Sequence, residues 1–275
     1  MDYKKNSAVA KWIVIGATCL QSLLVGSGCS NGSEGAKEAK TKTETIHASK
    51  ANDTEQLRVL VLTGGHDFDK EPFYKMFADF DNTEIDHVKI QKECTYFDDI
   101  SRFNYDVIVF YNFRNQLSSK GQENLLKLCN KGIGLVMLHH AIAGFPEWPM
   151  WPKIVGAQYF LEDTEIEGKL WKRCTYKHGV TYHVTVDKSK SMVTTGLKDF
   201  EILDETYKGY RLESDNQILL TTDEPLSQKE IGWTRTFQKS KVCYIQLGHG
   251  INAFENLNYK QLLKQSIDWA GKTER

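Results

Sequence analysis

Three stretches of the chain are apolar at nearly every position: Leu57–Thr63, Tyr105–Tyr111 and Ile133–Leu138. A strand without a polar face must be covered on both sides, so these runs predict a parallel sheet between two helical layers. Ile85–Ile90 alternates apolar and polar residues and predicts the second strand of the series. Helical spacing separates the strands. Glu71–Phe80 carries Pro72 in its first turn, where proline costs nothing. Ser118–Asn130 places Leu125, Leu126 and Cys129 together, with Ser119 and Gln122 as a capping box and Lys131-Gly132 as its stop. From Ala141 to about Leu170 the pattern dissolves among Pro146, Pro149, Pro152, Trp148, Trp151 and Trp171. That predicts a long functional loop or irregular insertion. Shorter alternating segments follow at Thr181–Val186 and Gln217–Thr221. Ile231–Phe237 and Val242–Leu247 read as a hairpin around Gln238–Lys241, and Asn258–Ala270 is a last amphipathic helix. One α/β domain over residues 57–271 accounts for all of these elements.

Composition changes this picture mainly by exclusion. Charged residues make up 26% and hydrophobic residues 40%, which excludes a disordered chain, a coiled coil and a polytopic membrane protein. A net charge of −1 excludes the basic surface expected of a nucleic-acid binder. The first residues differ from the rest. Lys4, Lys5 and Lys11, the mostly apolar Trp12–Gly26 and the small Ser27-Gly28 make residues 1–28 a predicted secretory signal. The apolar run falls short of the ~20 residues of a membrane span. Cys29 follows directly and resembles the lipidation site of bacterial lipoproteins, although Gly26 stands where leucine is usual. The expectation is an exported lipoprotein, anchored through a lipid on Cys29 in the periplasm or at the outer membrane or cell surface. Residues 29–56 hold one large apolar residue, Ile46, and predict a flexible tether. Of the later cysteines (Cys94, Cys129, Cys174 and Cys243) none forms a C-x-x-C pair, which excludes a zinc ribbon or thioredoxin motif. Cys243 lies in an apolar run and is expected to pack rather than react.

In an open α/β sheet, ligands bind beyond the carboxyl ends of the strands. Those ends are polar here. Gly64-Gly65-His66-Asp67 follows the first strand, and Tyr111-Asn112-Phe113-Arg114 ends the third. His139-His140 follows the fourth and Gly248-His249-Gly250 the last, so four of the eight histidines stand at strand ends. One loop histidine is ordinarily a packing or surface residue; four at the ends of one sheet converge. Neutral imidazoles bind zinc-like divalent metals, and catalytic zinc takes three protein ligands with one open position. His139 and His140 would face opposite ways on a regular strand, so only one joins such a set unless the chain turns there. Asp204-Glu205-x-Tyr207, read as a loop, supplies the carboxylate, and the candidate metal set is His139, Glu205 and His249. An imidazole acid–base site without metal fits the same residues. The serine-hydrolase elbow, the P-loop and the H-E-x-x-H helix are absent, and Gly64-Gly65-His66 lacks the third glycine of a dinucleotide turn.

Taken in order, several segments resemble the ThuA-like (trehalose-utilisation) family. They are Thr63-Gly64-Gly65-His66-Asp67, Gly134–Ala141, Val155-Gly156-Ala157, Thr195–Tyr207, Gly232-Trp233-Thr234-Arg235 and Gln246–Gly250. The resemblance implies a three-layer, flavodoxin-like, mostly parallel sheet of the class I glutamine-amidotransferase type, with a C-terminal β-hairpin added. It also implies a small carbohydrate as partner, in company with dehydrogenases that make 3-keto sugars. Amidotransferase chemistry is not carried over, because Leu138-His139-His140-Ala141 holds no thiol at the nucleophile turn. Lys188–Ser191 departs from the His-Pro pair common there. The expected catalytic set is His66, His139, His140, Glu205 and His249. Asp67, Asn112, Arg114, Trp148, Trp151, Asp204, Tyr207 and Arg235 are the expected substrate contacts, with the two tryptophans either stacking on sugar or capping the sheet. Several titratable groups in one place favour an enzyme that cleaves or isomerises an oxidised glycoside. A non-catalytic sugar- or partner-binding module is the alternative.

Overall fold

Residues 56–188 and 191–272 are described by the structure, a computed structural model. The expected signal segment, Cys29 and nearly all of the tether lie outside these residues. The main sheet contains β1 (Leu57–Gly64), β2 (Thr83–Lys89), β3 (Val107–Asn112), β4 (Gly134–Leu138) and β5 (Thr175–Val186). It continues with β6 (Phe200–Lys208), β7 (Gln217–Thr221), β8 (Glu230–Phe237) and β9 (Ser240–Ile245). Across the sheet the order is β6-β5-β7-β8-β9-β4-β3-β1-β2. Pairings from β9 to β2 are all parallel, and those from β6 to β9 are antiparallel.

The helices are α1 (Lys70–Ala78), α2 (Ser119–Lys131), α3 (Trp151–Val155), α4 (Ile251–Phe254) and α5 (Leu257–Gly271). Burial on both faces explains the unbroken apolar runs. Val59 and Val61 of β1 share a core with Phe73 of α1 and Leu263 and Ile267 of α5. Leu60 and Leu62, pointing the other way, share a core with Leu125 and Leu128 of α2 and Trp151 of α3. Each such core side chain contributes about 1.5–3 kcal/mol of burial free energy, so a one-residue slip in β1 would swap both layers at once.

Three expectations need correction, while the hairpin forms as expected. The α2 cap is Ser118, whose hydroxyl accepts from the Gly121 amide, because the chain is already helical at Ser119. The expected hairpin is β8 with β9, and β9 also lies parallel to β4, which closes the parallel half of the sheet. Residues 141–170 are not one loop; they form a 3₁₀ turn (His139–Ala143), α3 and a small hairpin of Thr164–Ile166 with Lys169–Trp171. Asp204–Tyr207 is not a loop but the end of β6, paired with β5, and all four of its residues are buried. Its polar sequence looked exposed because burial of such groups is tolerated only with hydrogen-bond partners, which a sequence does not display.

Candidate functional site

The parallel strands β9, β4, β3 and β1 are neighbours, so their carboxyl ends form one edge. His139 follows β4 with φ 52°, a left-handed conformation that costs a non-glycine residue roughly 1–2 kcal/mol. This bend, continued by the 3₁₀ turn, is why His139 and His140 do not straddle the sheet. Gly248, at φ 120°, makes the matching turn after β9; a Cβ there would lie 2.5 Å from the Tyr259 hydroxyl.

The imidazoles converge. Ring centres lie 5.3 Å apart for His139 and His140, 4.9 Å for His66 and His140, and 5.2 Å for His139 and His249. These fall well inside the roughly 12 Å that a single small ligand spans. Glu205 of β6 sits among them. Its Oε2 is 2.9 Å from His139 Nε2 and 3.3 Å from His249 Nδ1, while its Oε1 is 3.0 Å from His178 Nδ1. His139 Nδ1 is 2.7 Å from the Gln246 carbonyl and Tyr207 Oη is 2.8 Å from His139 Nε2. A carbonyl can only accept, so His139 Nδ1 carries a proton and donates it, and Nε2 is the nitrogen turned toward Glu205, His249 and Tyr207.

Charge follows from these contacts. Burial pushes the Glu205 carboxyl up, but hydrogen bonds with His139 and His249 outweigh it and hold Glu205 well below the usual carboxylate range. The bond with Glu205 raises His249 above the ordinary histidine value. His140 is driven well below that value by burial, with the His139 and His66 rings adding to the effect. Its Nε2 has no hydrogen-bond partner among the described residues.

A cavity of about 240 Å³ opens onto this cluster, walled by His66, His140, His178, Glu205, Tyr207 and Arg114. It shares Phe113, Arg114, Tyr159 and Leu161 with a larger depression of about 810 Å³. His66, His140, Glu205, Tyr207 and Arg114 line this cavity, while His139, buried, and His249, half-buried, contact Glu205 without being part of the lining.

The other predicted contacts lie elsewhere. Asp204 is buried and turned into the backbone, accepting from the amides of Glu205, Gly248 and His249 at 2.9, 2.7 and 2.9 Å. It positions the site instead of touching a ligand. Asn112 is buried and donates to Asn115 and Gly144, bracing the turn after the 3₁₀ segment. Trp151 is fully buried and donates to the Ala141 carbonyl, and Trp148 is 6% exposed; both cap the sheet. Arg235 pairs with Asp215, and Asp67 is exposed without lining the cavity. Phe113, Tyr159, Tyr176 and Tyr207 are the Phe and Tyr rings that do line it. His178, Arg173 and Tyr176 were not foreseen, because they belong to the antiparallel β5 and its approach, outside the strand-end rule. Tyr176 and His178 are two apart on β5, a spacing that marks one face but not what the face meets.

No curated protein matches this sequence. Among solved structures, the fold resembles a ThuA-like protein from Parabacteroides merdae at 17% identity and TM-score 0.64, covering 78% of this chain and 90% of that one. A ThuA-like protein from Bacteroides uniformis matches at 19% identity and TM-score 0.56, covering 82% and 95%. PurLQS from Thermotoga maritima matches at 12% identity and TM-score 0.50, covering 78% and 99%. The architecture is thus the mixed class I glutamine-amidotransferase-like sheet that the resemblance implied, parallel from β9 to β2 and antiparallel from β6 to β9. The family model for trehalose utilisation, ThuA, matches residues 58–270, and with that match over the whole sheet the chain belongs to the ThuA family.

Proposed function

We propose that this protein is an exported, lipid-tethered enzyme that cleaves or isomerises an oxidised (3-keto) glycoside or trehalose-like disaccharide by His/Glu acid–base chemistry. The observation that carries this reading is the convergence of His66, His139, His140, His178 and His249 around Glu205 at one cleft. A ketone at C3 of a sugar acidifies the proton on C2. A base removes that proton, the electron pair passes through the enolate, and the C1–O bond breaks with a proton delivered to the departing oxygen. His140 suits the base, because its Nε2 has no partner among the described residues while both nitrogens of His139 are engaged. His178, held on Glu205 Oε1 and lining the cavity, suits the acid. The adjoining depression, reached past Phe113 and Tyr159, offers room for a second sugar unit.

The test is incubation with trehalose, other disaccharides and their 3-keto forms, followed by product analysis. Turnover that falls roughly 10²-fold or more in His140→Ala and Glu205→Gln supports the reading, that being the usual scale for acid–base groups. Binding of sugar without turnover by the wild type would instead make the protein a sugar-binding module.

A further inference from the structure

We propose that His139 Nε2, Glu205 Oε2 and His249 Nδ1 form a binding site for one zinc-like divalent cation, with an open position facing the cleft. This deepens the catalytic reading of the same cleft by naming its cofactor. The three atoms are 2.9, 3.2 and 3.3 Å from one another. Bonds of about 2.0–2.1 Å meeting at tetrahedral angles set donor atoms roughly 3.3–3.4 Å apart, so the triangle is already close to one face of a zinc tetrahedron.

The surroundings point the same way. A histidine that binds metal through one nitrogen characteristically donates the other N–H to a carbonyl or carboxylate, which fixes ring and tautomer. His139 does so, through Nδ1 to the Gln246 carbonyl. His178 occupies Oε1 of Glu205 and leaves Oε2 for a single bond to the ion. Asp204 clamps the backbone of Glu205 and of His249, locking two of the three ligands together.

A proton alone explains the geometry less well. His139 Nε2 meets Glu205 at 2.9 Å, His249 at 3.2 Å and the Tyr207 hydroxyl at 2.8 Å. One N–H can be directed at only one of these. A cation among the nitrogens and the carboxylate satisfies all three ligands, and leaves the Tyr207 hydroxyl beside the fourth position to donate to whatever oxygen is bound there. Two imidazoles and one carboxylate favour zinc or a similar transition ion over magnesium or calcium, which prefer all-oxygen sites.

The experiment is direct binding, independent of any sugar. The purified full-length protein is stripped with a chelator, dialysed, and titrated with zinc by calorimetry, with bound metal measured by elemental analysis. Cobalt(II) is added separately to read the visible spectrum of a four- or five-coordinate centre. The expected result is a single equivalent in the wild type and in Trp148→Phe, whose ring caps the sheet outside the cleft's lining. Glu205→Gln and His249→Ala should each weaken binding by about 100-fold or more, at the upper end of or beyond losses from supporting residues alone. Circular dichroism checks that the variants fold, and the cobalt spectrum needs no variant. Absence of zinc in the wild type, or equal binding by all variants, overturns the site. If zinc is not held but 3-keto sugars are turned over, the cation is refuted and the metal-free acid–base reading stands.

Discussion

Replacing Asp204 tests how the site is held together, because one carboxylate there organises two ligand-bearing segments. Its oxygens accept three amides, from Glu205 on its own strand and from Gly248 and His249 after β9. Asp204 is 5% exposed, so water does not readily replace it. Hydrogen bonds to a charged group contribute about 1.5–3 kcal/mol each, and a buried donor left unpaired costs about 1–3 kcal/mol. Asp204→Ala abandons all three donors and should cost roughly 3 kcal/mol or more even if the turn relaxes. Asp204→Asn keeps an acceptor for the Glu205 and His249 amides but sets an NH₂ against the Gly248 amide. Its cost should be about 1–3 kcal/mol. Against a typical total of about 5–15 kcal/mol, both proteins should still fold. Urea unfolding at one pH, compared by midpoint at constant slope, reads these differences. Because His249 loses its anchor, zinc affinity should fall by about 10–100-fold in parallel. An Asp204→Ala protein within about 0.5 kcal/mol of wild type, the range of an ordinary surface change, would refute the clamp.

Further outcomes follow from packing and from the N-terminal sequence. Burial pushes the thiols of Cys94 and Cys174 up to about 11, and those of Cys129 and Cys243 up to about 12. All four should resist a thiol reagent at neutral pH in the native protein and react after denaturation, as read by peptide mass mapping; rapid native labelling would contradict their burial. Trp151→Ala should destabilise the fold by about 3–5 kcal/mol, whereas Trp148→Phe should leave sugar affinity unchanged by calorimetry. A selective loss of affinity in Trp148→Phe would restore the stacking role. Metabolic labelling with a lipid precursor should mark the wild type and not Cys29→Ser, and equal labelling of both would remove the lipoprotein reading.

What the chain determined by itself is the parallel half of the sheet and the histidines at its edge. Leu57–Thr63, Tyr105–Tyr111 and Ile133–Leu138 carry enough consecutive apolar residues to require cover on both faces, and that requirement places polar residues at the strand ends. His66, His140, Arg114 and Glu205 were legible on this basis, Glu205 through the family-like Asp204-Glu205-x-Tyr207. Local pattern could not show that this segment is a buried strand, because its carboxylates are made tolerable by amides and imidazoles distant in sequence. Nor could it show His178, which reaches Glu205 only because β5 pairs with β6 across a register shift between Lys177 and Val180. The same holds for the tryptophans, where the choice between sugar platform and core depended on how the 3₁₀ turn and α3 fold back on the sheet. Periodicity reports which side of a strand is buried. Which atoms meet there, and so whether three lone pairs face one point or several, is set by long-range packing alone.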